Sequence, residues 1–217
     1  VKTFEKHALV LASVSAVITG CIIAPVSANY ETAKTLGKGN VEVMGNYTRY
    51  HSTYLDGGLT NQNLGIRLGV GLSENFDLKF RYERLIEPKY EFDFLGVNSE
   101  TTRHAWDFFR ITPKWCLRID EWAITTPLSV YLIEGEAGLY DIGINFYRTF
   151  PLEQNMLFTL GLQNINYIGG GIMPMLGPSF GFAIGPENVF QVRPEFGALT
   201  DFSNLYFNYG IALVAFF

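Results

Sequence analysis

From residue 205 to 217 the chain reads L-Y-F-N-Y-G-I-A-L-V-A-F-F. In an extended strand successive side chains point to opposite sides, so Phe207, Tyr209, Ile211, Leu213, Ala215 and Phe217 share one face. Asn208, Gly210, Ala212, Val214 and Phe216 share the other. The first face is a large apolar stripe and the second is mostly small, so neither is built for bulk water. Such a strand fits lipid on one side and a cramped interior on the other. The same period of two runs through residues 75–85, where Phe76, Leu78, Phe80 and Tyr82 alternate with Asp77, Lys79, Arg81 and Glu83. Just before it, Leu64, Ile66, Leu68, Val70 and Leu72 alternate with Asn63, Gly65, Arg67, Gly69 and Gly71, and Ser73-Glu74-Asn75 joins the two runs as a hairpin.

Similar pairs recur. Short links carrying acidic residues fall at 118–121, 151–154 and 186–188, and longer connections at 51–61, 86–103, 133–137, 166–176 and 199–204. Short turns and longer loops are thus expected to alternate throughout. With a first run at 41–50, the pattern predicts an all-β fold, a closed antiparallel up-and-down transmembrane β-barrel of about ten strands. Closure follows because an unpaired backbone group in hydrocarbon costs several kcal/mol, so the first and last runs must pair. An even count returns both ends to one side. Aromatic residues near predicted strand ends (Tyr47, Tyr50, Tyr54, Tyr82, Trp106, Trp115, Trp122, Phe150, Phe217) are expected as girdles at the two interfaces. The alternative is a soluble exported β-barrel or sandwich, in which charged residues of 75–85 would face water. Pro113, Pro127 and Pro194 fall inside runs, where each removes a ladder donor. They read as bulges near the periplasmic rim; the alternative, since the first two are about equally distant from their shared turn, is that these face each other and thin one seam.

At the other end, Lys2, Lys6 and His7 precede an uncharged run, 8–18, too short to span a bilayer but laid out as a secretory signal. Two processing sites overlap. Ile18-Thr19-Gly20-Cys21 resembles a lipobox, after which Cys21 becomes an acylated first residue, whereas Val26-Ser27-Ala28 is a small-x-small site. The reading adopted is a signal peptide at 1–20, with cleavage after 28 as the alternative, a periplasmic linker at 21–39 and the barrel at 40–217. A terminal strand closing on Phe217 resembles bacterial outer-membrane β-barrels, whose final aromatic is read by the assembly machinery. Thr32-Ala33-Lys34-Thr35-Leu36-Gly37-Lys38-Gly39-Asn40 and Arg193-Pro194-Glu195-Phe196-Gly197 resemble the entry and the penultimate strand of small lipoprotein-type outer-membrane barrels. The resemblance implies a monomer in the bacterial outer membrane, with outer-membrane lipid and the assembly machinery as partners. It implies a fold and no catalytic residue.

Of the 217 residues 17% are charged and 15% aromatic, which suits one folded domain and excludes disorder. A net charge of −5 argues against a nucleic-acid partner, which needs a basic face. Cys21 and Cys116 are the two cysteines, so no disulfide framework is predicted, and Cys116 reads as a small apolar wall residue. If the alternation holds, Glu42, Arg67, Asp77, Lys79, Arg81, Glu83, Arg110, Lys114, Gln191, Arg193 and Glu195 point inward, six basic against four acidic residues. An ion-selective pore needs a one-sided ring of charge, so this set is expected to pair off and fill a narrow lumen. A lipid-modifying hydrolase or acyltransferase at the outer rim would need a histidine beside Ser, Asp or Glu. The candidates are His51 and His104, with Ser52, Asp56 and Asp107 near them in sequence. They fall on non-adjacent strands, and His51 and Ser52 point to opposite faces. Gly169-Gly170-Gly171 lacks the lysine and helix of a phosphate cradle, and no cluster has metal-ligand spacing, so no cofactor or metal is expected. The expected function is that of an outer-membrane barrel with a charge-filled lumen and a structural, adhesive or minor transport role, rather than that of an enzyme.

Overall fold

The computed structural model of the chain describes residues 28–52, 59–86, 91–94, 97–100, 105–118, 121–133, 136–169, 171–187 and 189–217. The predicted signal segment, Cys21, Tyr54, Asp56 and His104 lie outside the described residues. In chain order the strands are β1 (Val41–Ser52), β2 (Leu59–Ser73), β3 (Phe76–Ile86), β4 (Glu91–Phe94), β5 (Val97–Glu100), β6 (Ala105–Arg118) and β7 (Trp122–Thr125). They continue as β8 (Leu128–Ile133), β9 (Glu136–Glu153), β10 (Met156–Ile168), β11 (Ile172–Ile184), β12 (Phe190–Thr200) and β13 (Leu205–Phe216). β4 and β5 form a separate two-stranded ribbon in the link between β3 and β6. The other eleven close into a barrel of ten staves, because β7 and β8 share one stave between β6 and β9. Every pairing is antiparallel, and β13 closes on β1 from Glu42↔Phe216 to Ser52↔Tyr206. Val41 and Phe217 exchange both backbone hydrogen bonds at 2.9 Å, so the first and last strands meet at one rim, here called the lower rim.

The two faces follow the sequence pattern. Ile66, Leu68, Phe80, Phe109, Ile111, Leu128, Ile142, Ile144, Phe146, Leu162, Ile211 and Leu213 are exposed around the outside. Among the described residues, twenty-eight polar or charged ones are buried against nineteen hydrophobic ones. A soluble sheet cannot leave a continuous belt of Leu, Ile and Phe in water while burying its charges. The inversion is that of a membrane-spanning barrel, and it removes the soluble alternative. The terminal strand shows it best: Asn208, Ala212 and Val214 are buried while Tyr209, Ile211 and Leu213 are exposed. Around the lower rim Trp115, Trp122, Phe190 and Phe217 face outward, and the Arg148 guanidinium lies over the rings of Trp122 and Phe150 at 4.9 and 4.6 Å.

Three expectations are corrected. Tyr50 and Trp106 are not girdle residues, for both pack in the interior cluster at the upper end. Loops are not uniformly longer than turns, because β9, β10 and β11 run on past the positions read as loops. Only 134–135, 169–171 and 201–204 remain as upper links there, while the lower link at 185–189 is longer than any of these. The strand pattern is hidden there because Asn164 and Asn166 break the apolar alternation of the outward face of β10, where they stand across from Ile144 and Ile142. The prolines are the third case. Pro127 interrupts its stave between β7 and β8, yet Pro113 stands across from Thr126 rather than from Pro127, and Thr126 N–H donates to the Pro113 carbonyl at 3.1 Å. The seam is bridged. The sparser ladder is β11–β12, paired at Leu176↔Thr200, Ser179↔Gly197, Phe180↔Phe196, Gly181↔Glu195 and Ile184↔Val192, where Pro178 and Pro194 lie.

Candidate functional site

The lumen wall is polar because alternate residues of each strand point into it, and the ten charged residues expected there are all buried: Glu42 on β1, Arg67 on β2, Asp77, Lys79, Arg81 and Glu83 on β3, Arg110 and Lys114 on β6, and Arg193 and Glu195 on β12. Gln191 is buried with them and accepts from Arg193. Two further buried acids, Glu31 and Asp141, bring the described interior to six cations and six anions. Charge neutrality in a low-dielectric interior is what allows so many ions to be buried together.

Glu31 belongs to the segment read from sequence as a periplasmic linker. Its described part, from residue 28 on, runs inside the barrel instead. Ala28, Asn29, Tyr30, Glu31, Thr32 and Ala33 are buried, and Ala28 reaches the aromatic cluster of the upper half. The polar composition that suggests a solvated lead is, against a polar lumen wall, the composition suited to burial.

Every buried cation touches this segment. Arg67 donates to the Asn29 carbonyl and to Glu31, each at 2.6 Å. Lys79 reaches both Glu31 oxygens at 2.7 and 2.9 Å. Arg81 donates to the Ala28 carbonyl and pairs with Glu83. Arg110 reaches Asn29 Oδ1 and Arg193 the Tyr30 carbonyl, each at 3.1 Å. Lys114 donates to the Lys34 carbonyl and lies 3.6 Å from Glu31. Acceptors on the wall complete the match: Glu195 takes the N–H groups of Asn29 and Tyr30, Thr149 Oγ1 takes that of Ala33 at 2.7 Å, and Asp77 takes that of Leu36. Burial pushes the Glu31 carboxyl up, but Lys79, then Arg67 and Lys114, outweigh it and hold the group at about 2.

The segment enters over the lower rim through a tight bend. Gly37 and Gly39 have φ of 77° and 85°, a region open to glycine. Gly39 N–H donates to the Gly71 carbonyl and Gly71 N–H to that of Asn40, both at 2.9 Å. A Cβ on Gly71 would lie 1.8 Å from the Gly37 carbonyl oxygen. Gly71→Ala is therefore expected to push the bend off the rim, costing ~1–3 kcal/mol in denaturant unfolding and speeding proteolysis at the exposed Lys38.

The upper half of the lumen is filled differently from the charged filling expected. Tyr50, Leu85, Phe108, Tyr131, Ile165, Tyr167, Met175, Leu199 and Tyr206 form one buried apolar cluster, with the Tyr131 ring 4.9 Å from Phe108 and 6.0 Å from Tyr167. Below it Asp141 accepts from Ser129 at 2.7 Å, Tyr131 at 3.0 Å and Arg110 at 3.1 Å. Asp141 was missed because the run was recognised from Ile142 onward; carrying the alternation two residues back through Tyr140 finds it.

The rim-site candidates are not assembled among the described residues. His51 lies on β1, paired across to Thr60 and Phe207. Asp107 lies on β6, three staves away beyond β2 and β3, where it accepts from the Tyr82 hydroxyl at 2.7 Å and sits 3.7 Å from Arg84. Cys116 is half-buried and in no disulfide, and no group of three metal-ligating side chains occurs among the described residues. Phe217 is exposed beside Val41.

A scan against protein-family models finds no match. A search of curated proteins finds none either. Among solved structures, the chain is similar to the translocator domain of the autotransporter NalP from Neisseria meningitidis, at 8% identity over 99% of this chain and 97% of that one, TM-score 0.49. It is also similar to the attachment invasion locus protein Ail of Yersinia pestis, at 10% identity over 83% and 99%, TM-score 0.35. The N-terminal β-barrel domain of Pseudomonas aeruginosa OprF gives 10% identity over 83% and 99%, TM-score 0.35. What makes this chain a membrane-spanning barrel is its own inside-out distribution of side chains.

Proposed function

We propose that the protein is a sealed, non-conducting barrel of the bacterial outer membrane, serving as a structural or adhesive platform rather than as a transporter. The observation that carries this reading is the segment seated in the lumen by all six buried cations of the wall. It occupies the lower half, and the aromatic cluster fills the upper half. A charged lumen conducts when its ions are free to exchange with permeating ones, and here they are neutralised in place. The apolar belt and outward aromatic residues support placement in lipid, and the export signal read at 1–20 supports the outer membrane as that lipid. A platform of this kind would present its surface through the upper links, of which the β3–β6 link with its β4–β5 ribbon is the longest. The test is single-channel recording of the folded protein in planar bilayers. No openings are expected; a steady ion-selective current would sink the reading.

A further inference from the structure

The contacts that hold the segment have an uneven chemistry. Arg67, Arg81, Arg193 and Lys114 donate to the main-chain carbonyls of Asn29, Ala28, Tyr30 and Lys34. Glu195, Thr149 and Asp77 accept from the main-chain N–H groups of Asn29, Tyr30, Ala33 and Leu36. Among the described residues of the segment, Glu31 is the one side chain that meets a cluster of wall cations, Arg67, Lys79 and Lys114. Beside the segment, toward the lower rim, lies a cavity of about 310 Å³ lined by Thr32, Thr35, Lys79, Gln191, Arg193 and Phe216 among others. This is the layout of a receptor for an extended peptide: it reads backbone donors and acceptors in sequence, with one carboxylate pocket to set the register.

We propose that the lumen is a peptide-binding site that takes an extended chain carrying a single carboxylate, and that the amino-terminal segment is its resident, exchangeable occupant. The proposal rests on the segment's seat in the lumen but not on the absence of conductance. A barrel that conducts around a bound segment would fail the sealed reading and leave the binding site standing. The site opens toward the lower rim, so a peptide with the same main-chain register enters from that side, through the cavity beside the segment.

The experiment uses the full chain with a specific protease site inserted between Lys38 and Gly39, folded in detergent and then cut. The released fragment is expected to stay with the barrel through gel filtration at low salt. An excess of synthetic peptide spanning residues 28–38 is expected to displace it. The same peptide with Glu31→Gln should displace at least about tenfold less well, because it leaves buried cations unpaired. N-methylation of the Tyr30 amide, which removes a donor to Glu195, should weaken displacement as well. Lys38→Ala, at an exposed position outside the lumen, should leave it unchanged. A fragment that departs unaided, one that no peptide displaces, or one displaced equally by a scrambled peptide of the same composition overturns the proposal. Because the cut is made after folding, each outcome is read on a barrel that has already assembled.

Discussion

Replacing Glu31 by Gln is expected to cost ~3–5 kcal/mol of folding free energy, the range found when one partner of a buried charge cluster is neutralised and the others stay. Lys79 lies 2.7 Å and Arg67 2.6 Å from the Glu31 carboxylate, with Lys114 at 3.6 Å, and all are buried. Glu42, at 2.8 Å from Arg67 and 3.4 Å from Lys79, is left to serve the same cations. The measurement is the urea midpoint of the barrel in vesicles, with Thr35→Ala as the control. Thr35 makes one exposed hydrogen bond, to the Glu74 carbonyl, so its change is expected within about 0.5 kcal/mol. The pH dependence follows from the direction of the shift. Lys79, Arg67 and Lys114, overcoming the opposing effect of burial, lower the Glu31 carboxyl from 4.5 to about 2 in the folded chain. A carboxyl lowered on folding contributes its stability in full above the unfolded value and loses it as pH falls through the folded one. The gap between wild type and Glu31→Gln should therefore be constant above about pH 5 and close progressively toward pH 2. A gap that does not change over that window would show that the ion cluster is not what holds the segment.

The barrel was legible in the sequence and the segment was not, and the reason is physical. Strand pairing leaves a period of two wherever one face meets lipid, so Leu64–Leu72 and Phe76–Tyr82 announce a hairpin and Phe207–Phe217 a closing strand. The inward charges were legible for the same reason, as the complement of the lipid face. On the outward face of β10 Asn164 and Asn166 interrupt the apolar residues, and there the period loses its contrast. That is why residues from Asn166 on read as loop; Tyr50 and Trp106 were assigned outward from their places near strand ends, although Tyr50 shares the parity of Glu42 and Trp106 that of Arg110. A segment lying inside a polar lumen carries no period at all. Many of its contacts come from its backbone, which every sequence shares. One signal was nevertheless available: the expected inward set held six bases against four acids, an excess of two that a low-dielectric interior does not tolerate. The missing acids are Glu31 and Asp141, both buried.

Asp141 and Arg110 should behave as one unit. Arg110→Met or Asp141→Leu alone is expected to cost ~3–5 kcal/mol, since each strands a buried opposite charge. The Arg110 guanidinium donates to Ser129 at 2.7 Å and to Asp141 at 3.1 Å, and Asp141 also accepts from Ser129 and Tyr131. Removing both ions together leaves no unpaired charge, only the Ser129 and Tyr131 hydroxyls and Asn29 Oδ1 short of a partner, at ~1–3 kcal/mol for each buried group that finds no other. The double variant should thus fall short of the sum of the singles by at least ~1.5 kcal/mol in a denaturant cycle. Additivity within about 0.5 kcal/mol would mean the two are independent. The position of the pair explains why this matters beyond stability. Tyr131 links Asp141 to Tyr167 and Phe108, so the ion pair anchors the underside of the aromatic cluster that fills the upper lumen. If the cluster depends on that anchor, either single variant should loosen it and raise hydrogen exchange at β8 and the upper part of β10, while the Glu31 variant loosens the lower half. Two separable effects are expected because the lumen is closed twice, once by charge and once by packing.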